Sequence, residues 1–501
     1  MKRLRHGFPL LVALAAAFLS SPGSGRETPH LGRIIDLSET PMVDGVGPIG
    51  ASLDTMPFYH EGTWHLFHLQ NGMAIAHRTS KDLVHWKIEP IALWQGEPGE
   101  ADSSNIATGT VIRHEGKFYC FYTGNQNVCL ATSDDLFVWK KSEKNPILVG
   151  DNVHASPGNF RDPYVFYNDQ DKCWWLLVCT QAPGDFPQRS GCVGLTKSKN
   201  LLDWQLADPL WKWNSAMHAD CPQVFQEGDF WYLFTLDRNS RYRIADSPFG
   251  PWRRPPRRDL MLTPLFAMSR PASDGKRWVT FPFICGRHGE DDFADLINAE
   301  VLAIPRQLDF HKDGSVTERV IPELIEAILA KPALEGPILA AAKPLTGDWT
   351  VGASDAASKA AGTCNLLHLP GMPESFYLEM DVTLDRKAMD AVVFFRAEPN
   401  LSAAYQIDLQ PEEGLIVFRP CNDWDNRQVL VSRAHPLPVG RPFKVRLFVS
   451  GTVMEVFIDD VLSLCHRVYA HSRGDLFLET RDGKGTFSNI KIRRLQGDVK
   501  L

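Results

Sequence analysis

One short phrase recurs through the first half of the chain and limits what it can fold into. Ser80-Lys-Asp-Leu-Val-His-Trp86, Ser133-Asp-Asp-Leu-Phe-Val-Trp139 and Ser198-Lys-Asn-Leu-Leu-Asp-Trp204 share it, and Asp246-Ser-Pro-Phe-Gly-Pro-Trp252 is a looser copy. The tryptophans stand 53, 65 and 48 residues apart, the period of propeller blades and solenoid repeats. Each unit also has a polar turn leading into an aromatic strand. These are His60-Glu-Gly-Thr-Trp-His-Leu-Phe67, His114-Glu-Gly-Lys-Phe-Tyr-Cys-Phe121, Asp171-Lys-Cys-Trp-Trp-Leu-Leu177, Gln226-Glu-Gly-Asp-Phe-Trp-Tyr-Leu233 and Ser273-Asp-Gly-Lys-Arg-Trp-Val279, which makes five units. Small-residue strands such as Gly72-Met-Ala-Ile-Ala76 come next, and no 3.6-residue apolar period intervenes, which excludes a helical solenoid. The repeats, from residue 45 to 305, predict a five-bladed β-propeller whose radial repetition protects the sheet edges. The tryptophans are expected to pack between blades.

Downstream the pattern changes. Glu323, Leu324, Ile325, Ala327, Ile328 and Leu329 have helical spacing, and Pro332, Pro337 and Pro344 punctuate the next stretch. After Gly347, alternating stretches such as Phe376 to Thr383, Ala391 to Arg396, Tyr405 to Leu409, Phe443 to Val449 and Met454 to Asp459 predict a β-sandwich. The expected organisation is all-β: a leader at 1–25, a five-bladed β-propeller catalytic domain at 26–310, a linker with a short helix at 311–346, and a β-sandwich domain at 347–501. The leader is read from Lys2, Arg3 and Arg5, the apolar run Phe8 to Leu19 and the small residues Ser20 to Gly25. That run is too short to span a bilayer, so the mature chain is expected to be secreted or periplasmic, without membrane insertion. With 53 Lys and Arg against 60 Asp and Glu, and no basic patch, nucleic acid is excluded as a partner. The ten cysteines contain no C-x-x-C pair, so no metal is expected and no disulfide is assigned.

The first strand of a propeller blade lines the axis, so a side chain just before it points into the funnel. Asp54, Asp162 and Asp220 open blades one, three and four, whereas blade two has Thr108-Gly-Thr110. Taken singly, each aspartate is explained by turn capping; three converging on one funnel suggest a site. Paired carboxylates can cleave a glycosidic bond, one attacking or activating water and one protonating the leaving oxygen. Arg161, beside Asp162, either binds hydroxyls or forms a structural ion pair. No phosphate loop, G-x-S-x-G elbow or H-E-x-x-H motif is present.

These residues resemble glycoside hydrolase family 32, the invertase and fructanase family, and more loosely families 43 and 68. Asn159-Phe-Arg-Asp-Pro-Tyr-Val-Phe166 is similar to the family's F-R-D-P motif, and His77-Arg-Thr-Ser-Lys-Asp-Leu-Val-His-Trp86 to H-A-x-S-x-D-L-V-H-W. Ile106-Ala-Thr-Gly-Thr110 sits where F-S-G-S is expected. Met454-Glu-Val-Phe-Ile-Asp-Asp460 with Arg467-Val-Tyr469 resembles the sandwich motifs E-V-F-x-N-D-G and R-x-Y. The resemblance implies Asp54 as nucleophile, Asp220 as acid/base, Asp162 as transition-state stabiliser, substrate contacts from Arg161, His77, Thr108 and Cys221, and no cofactor. Two motifs depart from the family: Ala51-Ser-Leu-Asp-Thr-Met-Pro57 replaces W-M-N-D-P-N-G, and Asp220-Cys-Pro222 replaces E-C-P. The expected reaction is retaining hydrolysis of a furanose-containing oligo- or polysaccharide, a β-fructoside first. A family-43-like arabinose or xylose furanosidase or glycanase and a non-catalytic carbohydrate-binding propeller are the alternatives.

Overall fold

A computed structural model of the chain describes residues 31–39, 43–44, 54–70, 72–184, 187–213, 218–237, 239–256, 270–334, 338–421 and 428–496. The expected leader at 1–25 lies outside them. Among the described residues the regular secondary structure is almost wholly β-strand, with one α-helix, α1 (Pro322–Ala330), and no helix is long and apolar enough to cross a membrane.

Five antiparallel sheets succeed one another along the first 320 residues. Their first strands are β1 (Thr55–His60), β2 (Ile106–His114), β3 (Phe160–Asn168), β4 (Asp220–Glu227) and β5 (Pro271–Ser273). β1 packs against β2 and β5, and β3 packs against β2 and β4. Gln223 of β4 reaches β5, its Nε2 donating to the Pro271 carbonyl at 2.7 Å. Apolar clusters fill the spaces between successive sheets: Met56 and Phe67 against Ile106 and Phe118, Phe121 and Leu130 against Phe160 and Leu176, Trp175 and Leu177 against Val224 and Trp231, and Phe225 and Tyr242 against Leu308 and Val316. A larger cluster joins Trp64 and Trp86 of the first sheet to Phe281, Phe283, Leu324 and Ile328. The fifth sheet runs to Val320, because Val316–Val320 pairs with Arg306–Phe310 inside the stretch expected as linker. A sixth small sheet, which no local pattern announces, has Leu296–Leu302 at its centre, paired with Val43–Asp44 on one side and Phe283–Arg287 on the other.

The recurring phrase is a self-contained turn. Ser80 Oγ accepts from Leu83 N at 2.9 Å, Asp82 Oδ1 accepts from Val84 N and His85 N at 2.9 and 2.8 Å, and the Trp86 indole donates to the Leu83 carbonyl at 2.9 Å. The second copy repeats this at Ser133, Asp135, Leu136 and Trp139, and the third keeps the Asn200 and Trp204 bonds while Ser198 Oγ accepts from Asn200 N at 3.1 Å. Each central leucine is left-handed, with φ of 65°, 71° and 65°. That conformation costs roughly 1–2 kcal/mol, and four local hydrogen bonds at about 1 kcal/mol each exceed it. The looser copy has no leucine at this place, and the Trp252 indole finds no partner among the described residues.

The chain ends in two seven-stranded sheets that share one core, with Leu367, Val393, Ile407 and Leu478 from one sheet against Leu378, Val445, Val456 and Phe487 from the other. This sandwich is locked to the preceding sheets by buried polar contacts. Arg306 donates to Glu455, both side chains fully buried, and Glu455 Oε1 also accepts from Ile304 N at 3.0 Å. Tyr469 N donates to Asp292 Oδ1 at 2.7 Å, and its hydroxyl accepts from Arg287 N at 3.1 Å. Removing one partner of a buried pair strands the other charge at a cost of about 3–5 kcal/mol, whereas an apolar replacement of both is close to neutral. Glu455→Ala is therefore expected to lower the unfolding free energy by about that amount in chemical denaturation, and Arg306→Met/Glu455→Leu to recover most of it. Equal losses in the two variants would show that the pair carries no such penalty.

Candidate active site

The three expected carboxylates come from three different sheets, and the backbone aims two of them by the same device. β3 has a bulge between Arg161 and Tyr164, with Asp162 left-handed at φ 59°. β4 has its bulge between Asp220 and Gln223, with Cys221 at φ 49°. β2 is bulged at the matching place, between Ala107 and Gly109. A bulge offsets the pleat and re-aims a side chain, and it recurs beside functional sites. Gly109 is required there, because a Cβ would sit 1.8 Å from the Phe121 carbonyl oxygen.

Asp162 is held from several sides. Its N donates to Thr123 Oγ1 at 2.8 Å, that hydroxyl donates to the Thr108 carbonyl at 3.0 Å, and Cys221 N donates to Asp162 Oδ2 at 3.2 Å. Arg161 Nη2 donates to Asp220 Oδ1 at 2.5 Å, and its Nε lies 3.6 Å from Asp162 Oδ2. Asn159 Oδ1 accepts from Arg161, and Gln126 Oε1 accepts from it at 3.3 Å. Cys179 Sγ also donates to Asp220 Oδ1, at 3.1 Å. No hydrogen bond to Asp220 Oδ2 or to the Asp54 carboxylate is made among the described residues.

Asp54 precedes β1. Burial, then the negative charge of Asp162, pushes its carboxyl up to about 7, with Asp220 adding to the rise while Arg270 and Arg161 oppose it. Burial likewise holds Asp162 above the usual carboxylate range, against the pull of Arg161. Arg270 was not foreseen from the sequence. It is 3% exposed and donates to the carbonyls of Gly109 and Asp162, the latter at 3.2 Å. The signal was present: Arg270-Pro271 opens the fifth sheet as Asp162-Pro163 opens the third.

The other expected contacts fare differently. Cys221 serves through its amide, while its side chain lies in the apolar cluster with Phe281. Thr108 is wholly buried and supports Asp162 through its carbonyl and Thr123. His77 lies elsewhere than the three carboxylates, on Ala74–Ser80, the third strand of its sheet, with Thr63–Gln70 between it and β1. It is 1% exposed, stacks on Phe67 at 4.3 Å and meets His65 at 3.0 Å. Burial drives its imidazole well below the usual range, so it packs as a neutral ring. Cys179 and His218 also border Asp220, and one donor atom from each of the three lies within 4.8 Å of the others.

Comparison with known proteins places this geometry. Residues 55–231 match the family described as "Glycosyl hydrolases family 32 N-terminal domain". A levanase of Bacillus sp. (strain L7) is 35% identical over 193 residues, which cover 34% of this chain and 20% of the levanase. An insoluble beta-fructofuranosidase isoenzyme of Arabidopsis thaliana is 29% identical over 188 residues, which cover 34% of this chain and 31% of that protein. The chain thus matches a third or less of the length of these two relatives. Among solved structures, the Bombyx mori family 32 beta-fructofuranosidase superposes with a TM-score of 0.65 at 17% identity, covering 92% of this chain and 95% of its own. Fructan 1-exohydrolase IIa from Cichorium intybus gives 0.66 at 14% identity, covering 93% and 99%. These likenesses share the fold, and the match over residues 55–231 carries the bulged Asp162 and Asp220 strands. Residues 55–231 thus match the N-terminal domain of glycosyl hydrolase family 32, and the chain shares its fold with the beta-fructofuranosidase and fructan 1-exohydrolase structures named above.

Proposed function

We propose that this chain is an exported, retaining glycoside hydrolase acting on β-fructosides such as sucrose and fructans. In this reading the five sheets are the blades of a propeller at 26–310, succeeded by the linker at 311–346 and the sandwich at 347–501, and residues 1–25 are a leader removed on export. The observation that carries the reading is the meeting of Asp54, Asp162 and Asp220 with Arg161 at one end of the ring of first strands, in a chain whose relatives are named levanase and beta-fructofuranosidase.

The placement of the groups sets the chemistry. An Asp54 oxygen attacks the anomeric carbon, the glycosidic C–O bond breaks, and Asp220 protonates the leaving oxygen; Asp220 then takes a proton from the water that releases the sugar from Asp54. Asp220 Oδ2 faces the leaving oxygen while Arg161 and Cys179 hold Oδ1. Asp162, locked by its backbone and by Cys221 N, presents a fixed negative charge to the oxocarbenium-like transition state. The carboxylate of Asp220 is one methylene shorter than the family's glutamate, so the sugar sits correspondingly closer to β4.

A panel of sucrose, inulin, levan and aryl arabino- and xylofuranosides tests the proposal. Fructose release is expected, with Asp54→Ala lowering kcat on the order of 10⁴-fold. Activity on pentosides alone would support a family-43-like enzyme, and a panel bound without turnover a carbohydrate-binding protein; either overturns the reading. Because attack requires ionised Asp54, kcat/KM is expected to fall on the acid side with a midpoint near 7; a limb below pH 5 would assign it to another group. The same shift opposes folding. The carboxyl titrates near 7 folded and near 4 unfolded, so its cost is absent below pH 4, grows through pH 7 and is full above it. Asp54→Asn is therefore expected to raise Tm at pH 8 and to lose that advantage by pH 4, as read by thermal melts across pH.

A further inference from the structure

Hydrolysis by paired carboxylates needs neither a thiol nor an imidazole, yet both stand against Asp220. Cys179 lies on Cys173–Gln181, the strand beside β3, paired across from Arg161. His218 lies two residues before Asp220, and its Nδ1 meets the Asn159 amide at 3.1 Å. The thiol donates to Asp220 Oδ1 at 3.1 Å, and the sulfur, one imidazole nitrogen and one carboxylate oxygen all lie within 4.8 Å of one another. Cys179 is buried and the other two are partly open, so the cluster has an apolar floor and a solvent side.

The geometry points to a binding site for a single borderline-soft divalent cation of the zinc class on Cys179, His218 and Asp220, whose occupation blocks hydrolysis. Sulfur, nitrogen and oxygen together select such a metal over calcium or magnesium, which take oxygen ligands alone. Tetrahedral zinc, with bonds of about 2.0–2.3 Å, holds its ligand atoms about 3.5 Å apart. The trio therefore needs only side-chain rotation to close on the ion, leaving a fourth position for water. Binding exchanges the thiol S–H for a metal–sulfur bond, with the proton passing to solvent. The loaded carboxylate cannot reach a leaving oxygen, so the metal and the fructoside exclude each other. Asn159 Nδ2, its Oδ1 held by Arg161, donates to His218 Nδ1, so the imidazole must turn away from Asn159 to give the ion that nitrogen's lone pair. Arg161 opposes the cation, and the carboxylates of Asp162 and Asp54 favour it. The inhibitory consequence rests on the hydrolase reading above; the metal site does not.

The test begins with metal-stripped full-length protein titrated with Co²⁺ and monitored by absorbance. One equivalent is expected to give a near-ultraviolet thiolate-to-cobalt band that Zn²⁺ abolishes on displacing it. Cys179→Ala should remove the band, and Cys179→Ala and His218→Ala should each weaken Zn²⁺ binding on the order of 10²-fold. Absence of a one-to-one complex in the wild type, or a band that persists in Cys179→Ala, overturns the proposal. Cys179→Ser, which keeps a hydrogen-bonding side chain, separates loss of a ligand from misfolding: a native melt with the band lost supports the site. Inhibition by Zn²⁺, measured against each variant's own activity, should shift by the same factor as binding. A metal complex with these dependences in a protein that hydrolyses none of the panel would support the site while the hydrolase reading fails.

Discussion

The Arg270 guanidinium lies buried where β2, β3 and β5 converge, bonded to the carbonyls of Gly109 and Asp162. Both carbonyls belong to bulged segments whose ladder bonds are interrupted, so the guanidinium supplies donors where the sheets do not. Its charge matters as much as its hydrogen bonds. With Arg161 it sets two positive charges against the three carboxylates Asp54, Asp162 and Asp220, one short of balance. Asp162 is braced by Thr123 and Cys221, and Asp220 by Arg161 and Cys179. Asp54 has no such support among the described residues, and burial, reinforced by the charges of Asp162 and Asp220, pushes its carboxyl up to about 7. The reactivity proposed for Asp54 and the way the sheets are pinned at their centre are thus one electrostatic arrangement.

What the sequence disclosed was local. The Ser-x-Asp-Leu-x-x-Trp phrase, the polar turns and the aromatic strands each bond within a few residues, and they marked the sheets correctly; α1 and the alternating strands after Gly347 were equally plain. The three blade-opening aspartates were legible because a repeat makes departures from itself visible. Long-range contacts left no such trace. The pairing of Val43–Asp44 with Leu296–Leu302 joins segments that carry no shared pattern. Cys179 reaches Asp220 from the second strand of its sheet, and only three-dimensional packing shows it. The burial of His77 on the third strand of its sheet, against Phe67 and His65, is likewise a matter of packing that the motif alone does not reveal.

The sandwich motifs acquire a physical meaning in the same way. Glu455 and Tyr469, which helped to carry the family resemblance, face the preceding sheets rather than a ligand, and their partners are Arg306, Ile304, Asp292 and Arg287. Asp292 is shared further, since the Tyr405 hydroxyl donates to it at 2.6 Å. Buried polar groups of this kind contribute little net stability but penalise any docking that leaves them unpaired. They fix how the sandwich meets the fifth and sixth sheets, and the fifth sheet carries Arg270 at its start.

The tryptophan turns have a consequence for how such a chain can change. Every hydrogen bond in a turn is made within seven residues, so a corner of one sheet is indifferent to the length of chain separating it from the next. Spacings of 53, 65 and 48 residues are accommodated with the turn geometry kept in its three closest copies. Loop closure grows only slowly with length, so residues can be added between corners at small thermodynamic expense. Variation in substrate choice can therefore accumulate in the connections around the site while the frame that aims the carboxylates stays in register.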